Sequence, residues 1–152
     1  MSEYIYLAGS KPFLTGSIGD NPRKIVGDTI YYDSDVDLES FYFEDNYDVE
    51  DDSRYPFSTH FSNYKFQVCS SDLHLPEEGT SRLSQREKKA VNELFSYIHR
   101  YFEQDEVNQL EILYSLNSYE DEPLKTKKTI KLSELKMEDL FYKHFKFLTI
   151  ER

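Results

Sequence analysis

The amino-acid sequence predicts an α+β fold, with an antiparallel or mixed sheet of about six to seven strands packed on one principal helix at residues 85–103. Two observations lead to this prediction. β-prone segments occur before and after a single helical pattern and do not alternate with further helices, which disfavours Rossmann and barrel architectures. The 152 residues suit one domain and contain neither a repeat nor a long linker, so we expect a single domain spanning residues 1–152.

Four strands are predicted before the helix, because β-branched and aromatic residues cluster between turn-forming Gly, Pro, Asn and Asp. Residues 9–22 contain several Gly and Pro and predict turns, and residues 45–56 predict an exposed loop. Gly27-Asp28 interrupts the second of the strands. The predicted strands are residues 3–8, 25–32, 39–44 and 57–69.

The helix has the clearest signal in the sequence. Ser84 and Glu87 form the capping-box pattern, in which each side chain accepts a hydrogen bond from the other residue's backbone N–H. Apolar residues then recur every three or four positions and form one broad stripe, which is typical of a helix that covers a sheet. The stripe consists of Val91, Leu94, Phe95, Ile98, Tyr101 and Phe102.

Three more strands are predicted after the helix, at residues 110–116, 127–132 and 145–151. Between the last two, Ser133 is placed to cap a single helical turn over residues 134–140. Strands on both sides of one helix favour a sheet that the helix covers on one face.

Negative charge is concentrated in one segment. Ten of the 29 acidic residues lie within residues 33–52, which contain no Lys or Arg, and the other 19 nearly balance the 18 basic residues. This acidic segment therefore carries almost all of the net charge of −11. It is also rich in Phe and Tyr, which disordered acidic tails usually lack. Charge mixed with aromatic residues predicts a surface for a basic protein. The predicted partner-binding residues are Asp33, Asp35, Asp37, Glu39, Phe41, Tyr42, Glu44, Asp45, Tyr47, Asp48, Glu50, Asp51 and Asp52.

The composition disfavours several other classes of partner. Binding to a nucleic-acid backbone or an anionic membrane requires an excess of Lys and Arg, and here the balance is reversed. The one basic cluster is best explained as a solvated strand or turn. No apolar run has the roughly 20 residues that a membrane span needs. A single cysteine and an N-terminus without signal-peptide features lead us to expect a cytoplasmic protein. The basic cluster consists of Lys125, Lys127, Lys128 and Lys131.

A calcium-loop pattern occurs within the acidic segment. Counted from Asp33, acidic residues occupy positions 1, 3, 5 and 12 of the template, the last being Glu44. Position 6 is Leu38, however, where the loop requires Gly. We therefore predict that these carboxylates spread along an extended segment and point outward. No metal and no cofactor is predicted.

Catalytic patterns are weak. Nothing singles out a catalytic pair among the many carboxylates, and the histidines lack metal-ligand spacing. Cys69 ends an apolar strand, where a buried, unreactive thiol is the usual outcome. Gly16 and Gly19 resemble a phosphate-binding GxxG loop, but Pro22 breaks any helix that would follow, which favours a simple turn. We therefore predict no catalytic residue and expect that the protein is not an enzyme. The histidines are His60, His74, His99 and His144.

In size, charge, single-helix make-up and acidic-aromatic surface, the chain resembles the small acidic immunity proteins with which bacteria neutralise their own toxins. The resemblance implies an inhibitor that binds a basic toxin domain, often a nuclease, and covers its substrate-binding surface. Two alternatives stay open. One is a phage-type inhibitor that mimics the charge of DNA and occupies a host nuclease or defence protein. The other is a small enzyme with a carboxylate-lined site.

Overall fold

The computed structural model describes residues 2–48, 50–63, 65–71 and 74–152, and it confirms the predicted α+β fold. One α-helix packs on a sheet, and three short 3₁₀ turns occupy Asp35–Asp37, Leu132–Glu134 and Met137–Leu140. The helix is α1 (Gln85–Tyr101), and the strands are β1 (Glu3–Gly9), β2 (Gly16–Ile18), β3 (Lys24–Val26), β4 (Thr29–Tyr31), β5 (Phe41–Asp45), β6 (Tyr47–Asp48), β7 (Ser53–Arg54), β8 (Phe66–Ser71), β9 (Gln109–Leu116), β10 (Thr126–Lys131) and β11 (Lys146–Glu151).

Seven of the described strands form one mixed sheet in the order β10-β11-β9-β1-β8-β5-β2. β10 and β11 are parallel and the other neighbours are antiparallel. The remaining four strands form two separate hairpins, β3–β4 and β6–β7. The acidic segment therefore lies near one edge of the sheet, and the lysines of β10 lie on the opposite edge.

The helix begins as the sequence predicts and ends slightly earlier. Glu87 donates its backbone N–H to the Ser84 hydroxyl over 3.1 Å, and Ser84 donates its own to the Glu87 carboxylate over 2.9 Å. The last helical residue is Tyr101. Phe102 follows it and is nevertheless buried, with 2% of its surface exposed. Phe95 lies at the margin of the apolar stripe and is only half-buried, whereas Tyr97, which the stripe omits, is buried.

The sheet has a core on each face. The face beneath α1 carries the larger core, built on residues such as Ile5, Leu7 and Ile112. The second face carries a smaller core that includes Tyr6 and Leu113. Because alternate residues of a strand point to opposite faces, β1 contributes to both cores. Both faces of the sheet are therefore covered by packed side chains.

A segment that was predicted as strand covers the second face. The strand expected at residues 57–69 begins only at Phe66, so its first half is wrong. Phe61 packs onto the second face instead and is 5% exposed. The Glu111 carboxylate fixes this segment by accepting hydrogen bonds from the backbone N–H groups of Ser62 and Asn63, at 3.0 and 3.2 Å. A buried side chain from β9 thus overrides the local β propensity.

Four smaller predictions also need correction. The turn-rich residues 9–22 include β2, and the loop expected at 45–56 contains the β6–β7 hairpin. The strand expected at residues 25–32 is a two-stranded hairpin. Two 3₁₀ turns replace the helical turn over residues 134–140, and Ser133 caps neither of them.

We expect Phe43→Ala to lower the free energy of unfolding by about 3–5 kcal/mol, because the ring is 1% exposed and its removal leaves a cavity. Tyr42→Ala is the matched control on the same strand. Its side chain is 51% exposed, so the change should stay within about 0.5 kcal/mol. Urea unfolding of both variants measures this. Similar losses for the two variants would contradict the orientation of β5.

Stability should also fall in alkali. Burial raises the pKa of Tyr6, Tyr97 and Tyr101, and a hydrogen bond to Glu120 reinforces the shift at Tyr6. An unfolded tyrosine ionises near pH 10, so above about that pH the unfolded state loses protons that the folded state keeps. The stabilisation is complete below pH ~10 and is lost as the pH rises further. Urea unfolding between pH 8 and about 11 should show this fall, with a shallower slope for Tyr97→Phe than for the exposed control Tyr42→Phe. Equal slopes would contradict the assignment.

Candidate functional site

The acidic segment is divided by the way β5 enters the core. Phe41 and Phe43 point under α1 and are each 1% exposed, and the Phe43 ring stacks on Tyr97 with centroids 4.5 Å apart. Tyr42 and Glu44 point outward on the other face. The prediction that Phe41 contacts a partner is therefore wrong, because strand alternation commits it to the core.

The first part of the segment, residues 33–39, folds into a compact acidic turn. Residues 35–37 form a 3₁₀ turn, which corrects the expected extended conformation. The Lys89 ammonium donates to the carbonyl oxygens of Val36 and Leu38 over 2.5 and 3.1 Å and docks the turn onto α1. A lysine thus binds carbonyl groups of the would-be calcium loop. Asp33 and Asp35 are exposed, and Asp37 and Glu39 are half-buried.

The carboxylates of the calcium pattern do not converge. Asp33 pairs with Arg23 at 3.5 Å, and Asp37 lies beside Asn21, with 3.4 Å between the side-chain oxygen and nitrogen. Glu44 lies on β5, beyond the turn. Across the described ranges, no group of three or more His, Cys, Asp or Glu side chains is arranged to hold a metal ion.

The second part of the segment leads into the β6–β7 hairpin, and the described residues from 44 to 54, which leave out residue 49, are called the acidic hairpin below. The Arg54 guanidinium lies 2.7 Å from the Asp45 carboxylate and stacks over the Tyr47 ring at 4.8 Å. The Tyr47 hydroxyl donates to Asp52, and this hydrogen bond raises the pKa of Tyr47. Glu44, Asp45, Glu50, Asp51 and Asp52 are exposed, and the predicted contact residue Tyr47 is 39% exposed. The Asp48 side chain lies outside what the structure describes.

The acidic turn and the acidic hairpin lie at opposite ends of β5. Glu39 ends the turn and Glu44 begins the hairpin five positions later, so at about 3.3 Å per residue they lie at most roughly 16 Å apart. The sequence predicts one continuous acidic surface. The structure instead presents two acidic patches with the exposed Tyr42 side chain between them.

An exposed apolar hairpin adjoins the acidic turn, and sequence reasoning missed it. Every residue of β3 and β4 is exposed. Arg23 and Asp33 form an ion pair at 3.5 Å, and Asn21 donates its backbone N–H to Asp37 over 2.8 Å, so the base of the hairpin is fixed to the turn. Apolar and acidic side chains are therefore presented together. The exposed apolar residues are Ile25 (64%), Val26 (57%), Ile30 (48%) and Tyr31 (45%).

A buried lysine forms a polar cluster outside the acidic segment. Lys146 is 2% exposed, and its ammonium donates to the Glu78 carboxylate, to the carbonyl oxygen of Asp139 at 3.1 Å and to that of Phe141. Burial lowers the pKa of Lys146, and the Glu78 carboxylate opposes that shift. All three ammonium protons are thus bound. This arrangement anchors the connection between β10 and β11 and leaves no lone pair for nucleophilic chemistry.

Among the described residues, no hydrogen bond joins Cys69 to a histidine. Burial and the nearby Glu44 and Glu120 carboxylates raise the pKa of Cys69 to about 12, which keeps the thiol protonated. His144 lies 3.3 Å from the Tyr142 hydroxyl and 3.9 Å from Glu3. His60 contacts the Glu122 carbonyl oxygen.

A cavity of about 460 Å³ lies between residues 12–14 and the last turn of α1. Its floor is the stack of Phe13 on Tyr101, with ring centroids 4.1 Å apart. The Tyr97 hydroxyl donates a hydrogen bond to the Leu14 carbonyl oxygen, and the Tyr101 hydroxyl donates one to the Lys11 carbonyl oxygen. Arg100, Glu103 and Gln104 also line the cavity, so its mainly apolar wall includes a single carboxylate, that of Glu103.

Comparison with protein-family models, curated proteins and solved structures finds no significant match to this chain. Within the described part of the chain, no helix combines the length and apolar content needed to cross a membrane.

We expect Lys146→Met to lower the free energy of unfolding by about 3–5 kcal/mol, because it leaves buried carbonyl groups without their donor. Lys143→Met is the control, since Lys143 is half exposed and lies 3.8 Å from the same Glu78. It should cost less than about 0.5 kcal/mol. Thermal or urea unfolding of both variants measures the two losses of stability. A Lys146→Met protein as stable as wild type would show that the buried ammonium does not anchor the connection.

Proposed function

We propose that this chain is an acidic protein-binding inhibitor, an immunity protein that neutralises a cognate bacterial toxin by covering the toxin's basic substrate-binding surface. One observation carries the proposal, the attachment of the exposed apolar hairpin to the acidic turn. Monomeric proteins rarely expose several large apolar side chains together unless these bind something. Acidic residues around them select a basic partner.

The two kinds of residue have different roles in such a complex. Exposed carboxylates attract a basic partner from a distance and raise the association rate by roughly 10–10³ at low salt. The apolar side chains, with Tyr42 and Tyr47, supply the contact area that slows dissociation. A partner that contacts both acidic patches would span the roughly 16 Å between them. Such a span is compatible with an interface of standard size, which buries about 800 Å² on each protein.

Both acidic patches are fixed before any partner binds. Lys89 holds the backbone of the acidic turn, and Arg54 holds Asp45 and Tyr47 in the acidic hairpin. Ordering a loop on binding costs conformational entropy, so a surface that is already ordered loses less affinity. This supports a surface built for recognition over a solvated tail that happens to be acidic.

The proposal is tested by using the tagged chain to capture its partner from the native host and measuring association rates with the purified partner. One variant neutralises exposed acids in both patches, by Asp33→Asn, Asp35→Asn, Glu44→Gln and Glu50→Gln. A control removes the same charge elsewhere, by Glu103→Gln, Asp105→Asn, Glu122→Gln and Glu138→Gln.

We expect a stoichiometric basic partner whose association slows about ten-fold or more with the patch variant and about two-fold or less with the control. The wild-type rate should fall with added salt. Equal effects of the two variants would assign the attraction to net charge alone and contradict the proposed surface. A partner without an excess of basic residues would contradict the inhibitor proposal itself.

A further inference from the structure

The apolar hairpin exposes backbone hydrogen-bonding groups as well as side chains. Val26 pairs with Thr29 around the two-residue turn Gly27-Asp28, and Gly27 has a φ of +61°, as such a turn requires. The pair that closes a two-residue turn is hydrogen-bonded, so the next pair, Ile25 and Ile30, is not. The N–H and C=O groups of both isoleucines therefore point away from the hairpin.

The same two residues form an apolar surface. Ile25 and Ile30 are directly opposite each other, so their side chains lie on one face of the hairpin, 64% and 48% exposed. Sheet edges are usually protected by Lys, Pro or a bulge. β4 is short, which limits pairing to the one outward N–H and C=O pair of Ile30, but Thr29, Ile30 and Tyr31 are strong β-formers and include neither Lys nor Pro.

Charge distinguishes the two edges of the hairpin. β3 begins with Lys24 and is preceded by Arg23, whereas β4 follows the exposed Asp28 and leads into the acidic turn, where Asp33 pairs with Arg23 and Asp35 is exposed. The Lys24 ammonium lies 5.0 Å from the centroid of the Tyr31 ring, on the face opposite to the isoleucines. A basic segment would be repelled along β3 and attracted along β4.

We propose that the free edge of β4 binds an extended basic segment of the partner by strand addition. Its backbone pairs with the N–H and C=O of Ile30, its alternate apolar side chains cover Ile25 and Ile30, and its Lys or Arg side chains face Asp28 and the acidic turn. Strand addition takes affinity from backbone hydrogen bonds and specificity from alternate side chains. The inference rests on the proposed function, since it specifies how the basic partner is held.

The test uses the full-length, isotope-labelled chain and a blocked peptide of about seven residues that alternates lysine and valine, a pattern suited to strand addition. Amide chemical shifts report where the peptide binds and with what affinity. A peptide that alternates glutamate and valine controls for charge. Two matched variants control for the edge, because proline removes the outward N–H of one strand only: Ile30→Pro on β4 and Ile25→Pro on β3.

We expect the basic peptide to shift amides of residues 28–33 and the acidic peptide to leave them unchanged. Ile30→Pro should weaken binding roughly five-fold or more, through the lost hydrogen bond and apolar contact, and Ile25→Pro roughly two-fold or less. The amides of Val26 and Thr29 show whether the hairpin stays closed. If the Ile30→Pro change opens the hairpin, the Ile30→Ser variant replaces it as the test of the β4 edge. Ile30→Ser keeps the backbone N–H but loses the apolar side chain, and it should still weaken peptide binding about two-fold or more.

Four outcomes would overturn the inference: shifts confined to residues 44–54, equal binding of both peptides, greater loss with Ile25→Pro, or unchanged affinity of Ile30→Ser. The first of these would leave the proposed function intact, with the acidic hairpin as the contact. The proposed function fails separately, in the capture experiment, if the partner is not basic.

Discussion

The stacking of Phe43 on Tyr97 determines where the acidic segment lies. β5 is bound to the sheet through β8 at one end and packs Phe41 and Phe43 beneath α1. Because alternate residues point to opposite faces, this packing turns Tyr42 and Glu44 outward. It also places the acidic turn before the strand and the acidic hairpin after it. A segment whose charge alone would suggest a solvated tail is thereby built into the fold.

Three basic residues show how the chain handles its excess of negative charge. Lys89 binds the backbone carbonyl groups of the acidic turn, and Arg54 binds the Asp45 carboxylate in the acidic hairpin. Lys146 is buried at a distance from the acidic segment and holds the connection between β10 and β11. The unneutralised acids remain mostly exposed on the two patches. The charge that could have opened the fold is thus placed at the surface, where water screens it.

Local patterns predicted the regular elements well. The capping box at Ser84 and the apolar stripe that follows it gave the helix, since both depend on residues within a few positions of one another. The errors arose where distant residues decide the structure. Glu111 holds the segment before β8 over the second face, and Phe43 stacks on Tyr97 while Phe41 stacks on Phe43 in the core.

Parts of the candidate surface were accessible to the sequence and others were not. The charge partition identified the acidic residues, most of which are exposed. The apolar hairpin was signalled only by Gly27-Asp28, and exposure of its isoleucines cannot be read from β propensity, which describes buried and exposed strands alike. The anchoring by Lys89 joins residues more than 50 positions apart and has no local signature.

Recognition of a basic partner is proposed for one edge of the sheet, where an apolar hairpin and two fixed acidic patches lie around β5. Amide hydrogen exchange of the chain, alone and in complex with its captured partner, tests this most directly. The account predicts new protection in residues 28–39 and 44–54, with little change in β10. Protection limited to β10 or to the exposed side of α1, with both acidic patches exchanging as in the free chain, would contradict it.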